Sequence, residues 1–206
     1  MKRAYALLGV LFIIIIIEAS YAFNHSFTKE PDTGNVISAK QSQVMASLSL
    51  KSSAFENDGK IPSKYTCDEN REINPPLSIA NAPAGTKSLV LIMDDPDVPK
   101  QLHPDGMYDH WVVFNIPPPA PMTTLEILEG GPVHGTQGVN GSGKNVYTGP
   151  CPPPQYEPSE HRYFFKLYAL DAELPLAEGA TKQDVERAMQ GHILEETQLI
   201  GRYKRK

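Results

Sequence analysis

Proline sets the outline of this chain. Nineteen of its 206 residues are proline, roughly twice ordinary usage, and seventeen of those lie between Pro62 and Pro158. Each one fixes φ and removes a backbone donor, so no long helix runs through that stretch. Helix bundles, coiled coils and folds that need crossover helices in mid-chain are excluded. The length suits one medium domain and needs no metal or disulfide staple. An apolar share of 40% beside 21% charged residues allows a buried core. The net charge of −5 argues against a nucleic-acid partner, which requires a basic face.

The N-terminus reads as a signal peptide over residues 1–22. Lys2 and Arg3 precede an apolar run from Ala4 to Ile17, and Ser20-Tyr21-Ala22 places small residues at the −3 and −1 positions of a cleavage site. The run is shorter than the roughly 20 residues of a membrane-spanning helix. Cleavage at about Ala22 implies a secreted or periplasmic protein, an uncleaved anchor being the alternative. Losing Lys2, Arg3 and Glu18 takes the net charge from −5 to −6. Residues 23–45 are polar and aperiodic and read as a flexible spacer, leaving residues 46–206 as the domain.

Strand patterns dominate that domain. Leu48, Leu50 and Ser52 alternate with their neighbours, and Ser88-Leu89-Val90-Leu91-Ile92-Met93 suits a strand buried on both faces. Trp111-Val112-Val113-Phe114-Asn115-Ile116 and Tyr163-Phe164-Phe165-Lys166-Leu167-Tyr168 are aromatic and β-branched runs. Thr181 can cap a helix holding Asp184, Val185, Ala188 and Met189 and ending at Gly191. Leu194 and Leu199-Ile200 suggest a closing strand that ends at Tyr203. The expected class is a mostly-β sandwich with a late helix. Pro75-Pro76, after Asn74, is where a cis peptide is expected.

Two motifs fail on inspection. Gly138-Val139-Asn140-Gly141-Ser142-Gly143-Lys144 has the spacing of a phosphate-binding loop, but Asn145 stands where Ser or Thr should hold magnesium. Pro150 and Pro152 to Pro154 follow and forbid the helix. Asn140-Gly141-Ser142-Gly143-Lys144 also lacks the spacing of a nucleophile elbow. Cys67 and Cys151, an even pair in an exported chain, favour a disulfide, with two free thiols as the alternative.

Polar groups collect at strand edges in three blocks. These are Met93-Asp94-Asp95-Pro96-Asp97-Val98-Pro99, then Asp109-His110-Trp111, then Gly149-Pro150-Cys151-Pro152-Pro153 with His161-Arg162-Tyr163. A sandwich gathers its loops at two ends, so acids and histidines from different strands can meet on one rim. A carboxylate beside an imidazole fixes its tautomer and favours its protonated form. With backbone N–H groups of a proline-stiffened loop, two such histidines would cradle a small anion. His25, His103, His134 and His192 are read as surface or capping residues.

These blocks resemble the signatures of the phosphatidylethanolamine-binding protein family, particularly its bacterial Raf-kinase-inhibitor-like branch. Ile61-Pro62-Ser63-Lys64-Tyr65-Thr66-Cys67, Pro75-Pro76-Leu77-Ser78, Tyr168-Ala169-Leu170-Asp171 and Gly191-His192-Ile193-Leu194 fit as well. The resemblance implies a β-sandwich of two antiparallel sheets with one or two short helices, one near the C-terminus. It implies that Asp95, His110 and His161 line a small anion pocket, with Asp97, Gly149, Pro150 and Tyr163 close by. The ligand so implied is phosphate-like or a carboxylate, such as a phospholipid head group or a phosphorylated partner. Two departures stand out. The link at residues 155–160 is longer than usual, and Ile79 replaces a tryptophan.

The favoured function is therefore non-catalytic anion binding outside the cytoplasm, with no cofactor and no metal. The alternatives are a hydrolase or lyase using His110 or His161 as general acid–base, or a protease inhibitor acting through residues 155–160. A protein partner and a homodimer stay open.

Overall fold

The structure is a computed structural model that describes residues 46–206; the expected signal peptide and spacer lie outside the described residues. Two sheets make the body. The smaller has the order β1–β3–β6, formed by Ser49–Lys51, Leu77–Ala80 and Thr124–Ile127. The larger has the order β2–β9–β8–β4–β5–β7. Its strands are β2 (Gly59–Lys60), β4 (Ser88–Asp95), β5 (Tyr108–Ile116), β7 (Thr136–Gln137), β8 (Glu160–Leu170) and β9 (Ile193–Lys204). All pairing is antiparallel except the short match of β2 with the end of β9. The expected sandwich is the fold.

Strand β4 is buried at every position because both its faces are covered. Leu89, Leu91 and Met93 pack with Phe165 and Trp111 against Leu50, Leu77 and Ile79 of the small sheet. Val90 and Ile92 point the other way and meet Val112, Phe114, Val185 and Met189 under the helix. That two-sided burial is what a continuous apolar run demands.

Helix α1 (Lys182–Met189) starts at Thr181, whose hydroxyl accepts from Asp184 N–H while the Asp184 side chain accepts from Thr181 N–H. This reciprocal cap satisfies two donors that a helix start leaves open. Gly191 ends it with φ at 81°. Among the described residues no helix is long and apolar enough to cross a membrane.

One expectation is corrected. The cis peptide is at Glu157–Pro158, and Pro75–Pro76 is trans. The turn there is held instead by the Asn74 side-chain amide, which donates to the carbonyls of Pro75 and Leu128, each at 3.0 Å. The cysteines form the Cys67–Cys151 disulfide, with Cα atoms 5.3 Å apart.

Candidate functional site

Antiparallel neighbours reverse direction, so the end of β4 meets the starts of β5 and β8 at one rim of the sandwich. Asp95 closes β4, Tyr108 and His110 open β5, and His161 opens β8. A cleft of about 220 Å³ lies there, lined by Asp95, His110 and His161. Its remaining walls are Arg71, Val98, Leu102, His103, Tyr108, Cys151, Pro152 and Pro153. The volume is below the roughly 300–1,000 Å³ of drug-sized sites, so it suits a small ligand or one group of a larger one.

Strand period places His161. Burial alternates along β8, turning His161, Tyr163 and Phe165 inward and Arg162 outward. His161 Nδ1 lies 2.7 Å from Asp95 Oδ2, with side chains 1% and 4% exposed. The second Asp95 oxygen accepts the N–H of Asp97 at 2.8 Å, so the loop after β4 holds the carboxylate in place. His161 Nε2 and the Tyr163 hydroxyl are buried with no hydrogen-bond partner among the described residues. Burial, then the charge of Asp95, hold the Tyr163 phenol well above its ordinary pKa.

A bulge places His110. Met93 pairs with Trp111, but the next residue of β4, Asp94, pairs with Asp109. His110 is thus the extra residue of β5. The shift sends Asp109 to the helix face and leaves His110 facing the cleft. There its ring stands edge-on between Tyr108 and Tyr163, at centroid distances of 4.7 and 5.2 Å. The Lys182 ammonium closes the back of the bulge, 3.1 Å from Asp94 and 2.9 Å from Asp109.

The charge expected on His110 is corrected. Its Nδ1 sits 2.5 Å from the Thr148 carbonyl, which can only accept, so Nδ1 carries the proton. Burial pushes the pKa down to about 4, helped by Arg71 and opposed by the Thr148 bond, Asp95 and Asp109. Desolvation outweighs the carboxylates, and His110 is neutral at pH 7.

Asp97, Gly149 and Pro150 support the cleft without lining it. Asp97 turns outward and binds Arg162 through Nε and Nη2 at 2.8 and 2.6 Å, which holds its carboxyl below the usual range. Gly149 N–H donates to Arg71 O at 2.6 Å, and Pro150 O accepts from Cys67 N–H at 3.0 Å. A Cβ at Gly149 would run into the Tyr65 carbonyl oxygen. Asn140 organises the glycine-rich loop, its Oδ1 accepting from Ser142 and Lys144 N–H.

His103 and Arg71 were not legible as site residues. His103 reaches the cleft by packing edge-on against Tyr108 at 5.2 Å. Arg71 reaches it because Gly149 lets two loops touch. Its position beside the Cys67 block was the only hint. Among the described residues, no group of three or more His, Cys, Asp or Glu converges as a metal site would require.

The sequence profile of the phosphatidylethanolamine-binding protein family matches residues 51–204. A UPF0098 protein of Methanothermobacter thermautotrophicus is 48% identical over 160 residues, covering 77% of this chain and 99% of its own. A UPF0098 protein of Chlamydia pneumoniae is 43% identical over 158 residues, with coverage of 77% and 99%. The crystal structure of a putative phosphatidylethanolamine-binding protein homologue from Chlamydia trachomatis matches with a TM-score of 0.70 at 40% identity, over 78% of this chain and 99% of that one. YbcL of E. coli, described as a member of the mammalian family, shares the fold at TM-score 0.66 and 22% identity, over 78% of this chain and 100% of its own. The chain belongs to the phosphatidylethanolamine-binding protein family.

Proposed function

We propose that this protein binds a small anion, a phosphate-like or carboxylate group, in the Asp95–His110–His161 cleft, and does so without turnover. One observation carries the reading: His161 is a wall of the cleft, and its Nε2 is buried without a partner among the described residues. An unpaired buried polar atom costs about 1–3 kcal/mol, which a bound ligand atom would repay. Asp95 keeps the proton of His161 Nδ1 engaged, so Nε2 is the atom left for a ligand. His110 offers a second nitrogen beside it. Among the described residues the walls contain no Ser, no Thr and no free Cys, since Cys151 is tied to Cys67. Acyl or phosphoryl transfer through a serine, threonine or cysteine nucleophile therefore has no residue to act in the cleft.

Export after removal of residues 1–22 places this binding in a secreted or periplasmic setting, and N-terminal sequencing of the mature protein tests it. Calorimetric titration with inorganic phosphate and with acetate tests the cleft itself, in wild type and in His110→Ala and His161→Ala. Saturable binding weakened by both substitutions is expected. Binding indifferent to both, or none in wild type, overturns the proposal. Hydrolysis of a phosphoester panel, lost in the same variants, would favour the enzyme reading instead.

A further inference from the structure

The cleft was expected to attract an anion through charged imidazoles, and its charges are arranged otherwise. His110 is neutral, and His161 is matched by Asp95. The surrounding carboxylates are also taken. Asp97 holds Arg162 and Asp109 holds Lys182. Glu72 meets Lys144 at 3.4 Å, and Asp105 turns back onto Met107 N–H at 3.2 Å. Among the cleft-lining residues Arg71 is the one guanidinium or ammonium, and among the described residues it forms no ion pair.

Its backbone is fixed even though its side chain is exposed. Asn70 Oδ1 accepts from Glu72 N–H at 3.0 Å, wrapping a tight turn around Arg71. Arg71 O accepts from Gly149 N–H at 2.6 Å, and Thr148, the residue before, exchanges two hydrogen bonds with His110. The guanidinium thus springs from main chain tied within one residue of the bulged histidine's partner. Arg71 and Tyr108 also form the wall between this cleft and a second of about 230 Å³, lined further by Glu72, Ser142, Lys144 and Thr148. The side chain therefore stands at the edge of both clefts on a fixed base.

We infer that Arg71 supplies the countercharge that makes this cleft select a doubly charged phosphoryl group over a singly charged carboxylate. The inference rests on the cleft being an anion site, as proposed above. A guanidinium is always protonated and can hold two phosphoryl oxygens at once, a geometry that rewards the second negative charge. A neutral His110 and a His161 engaged by Asp95 give no such preference.

The test compares inorganic phosphate with acetate by titration at pH about 8, where a phosphoryl group carries close to two charges. Wild type, Arg71→Gln, Arg71→Lys and Lys144→Gln are measured. Arg71→Gln is expected to weaken phosphate binding about tenfold, or about 1.4 kcal/mol, while acetate changes less than about threefold. Arg71→Lys should recover part of the loss, because charge returns without the planar fork. Lys144→Gln should leave phosphate affinity within about threefold of wild type. An equal loss for both anions in Arg71→Gln, no loss, or the loss appearing in Lys144→Gln overturns the role of Arg71 while leaving the cleft an anion site. Wild type binding neither anion overturns both.

Discussion

Asp109 lies directly across the β4–β5 ladder from Asp94, and the ammonium of Lys182 bridges the two carboxylates at 2.9 and 3.1 Å. Opposed like charges destabilise a sheet, and Asp94 is almost fully buried. The pairing exists because His110 is the bulged residue, so the lysine holds the backbone that aims the histidine. Lys182→Met would leave Asp109 without a cation and Asp94 with Lys166 alone. The expected loss is about 3–5 kcal/mol, read by chemical denaturation. A loss below about 1 kcal/mol, the range of an exposed pair, would mean the bulge stands without Lys182.

Acid should weaken the fold in a window set by His110. Its pKa is about 4 in the folded protein against an ordinary 6.5, so between those values the unfolded chain takes a proton that the native state refuses. Stability is full above pH 6.5 and falls toward pH 4 by up to roughly 3.5 kcal/mol, at about 1.4 kcal/mol per unit. His110→Gln should flatten that part of a denaturation-versus-pH curve. Unchanged slope in the variant would show that other groups carry the loss.

Anion binding should take up a proton. With Nδ1–H committed to Thr148, a neutral His110 presents only a lone pair to a ligand oxygen, and a bound anion favours the imidazolium. Affinity for acetate, which keeps its single charge over this range, is therefore expected to rise as pH falls from about 7 to about 5.5. Calorimetry in buffers of different ionisation heat measures the uptake directly. Zero uptake would place the anion away from His110.

The disulfide closes a separation of 84 residues and ties the Cys151 wall of the cleft to the Cys67 turn. The chain-entropy relation gives about 4.5 kcal/mol for a loop of that length. Cys67→Ser with Cys151→Ser should lose stability of that order and also weaken anion binding, as the wall loosens. Urea midpoints and phosphate titration read the two effects separately. Intact affinity in the double variant would show that Pro150 and its neighbours hold the wall unaided.

Gly149→Ala should cost about 1–3 kcal/mol and lower anion affinity. The new methyl meets the Tyr65 carbonyl and the Arg71 backbone, and relieving that overlap parts the two loops. Thermal unfolding and titration check it. A neutral result would mean the belt of residues 147–151 is looser than its hydrogen bonds imply.

Much of the fold could be read along the chain because its signals are local. The apolar run of β4, the aromatic run of β8 and the Thr181 cap each need only neighbours in sequence, and each is where it was expected. Strands β2, β3, β6 and β7 are short and lean on tertiary pairing, so their runs carried little signal. The turn at Pro75–Pro76 shows the same limit. Its hydrogen bond runs to Leu128, far along the chain, and no local pattern announces that.

The proline excess by itself excluded helical folds and, with the spaced Asp and His blocks, pointed to a rim rich in loops. Which polar groups face that rim was decided only by the tertiary structure. A one-residue bulge aims His110 into the cleft, and contact between two loops through Gly149 brings Arg71 to its wall. Charge was settled there too, because the pKa of His110 follows from its desolvation, which exists only once distant segments close around it. Residue identity travels with the sequence; register, burial and the net charge of a site arise from pairings across the whole fold.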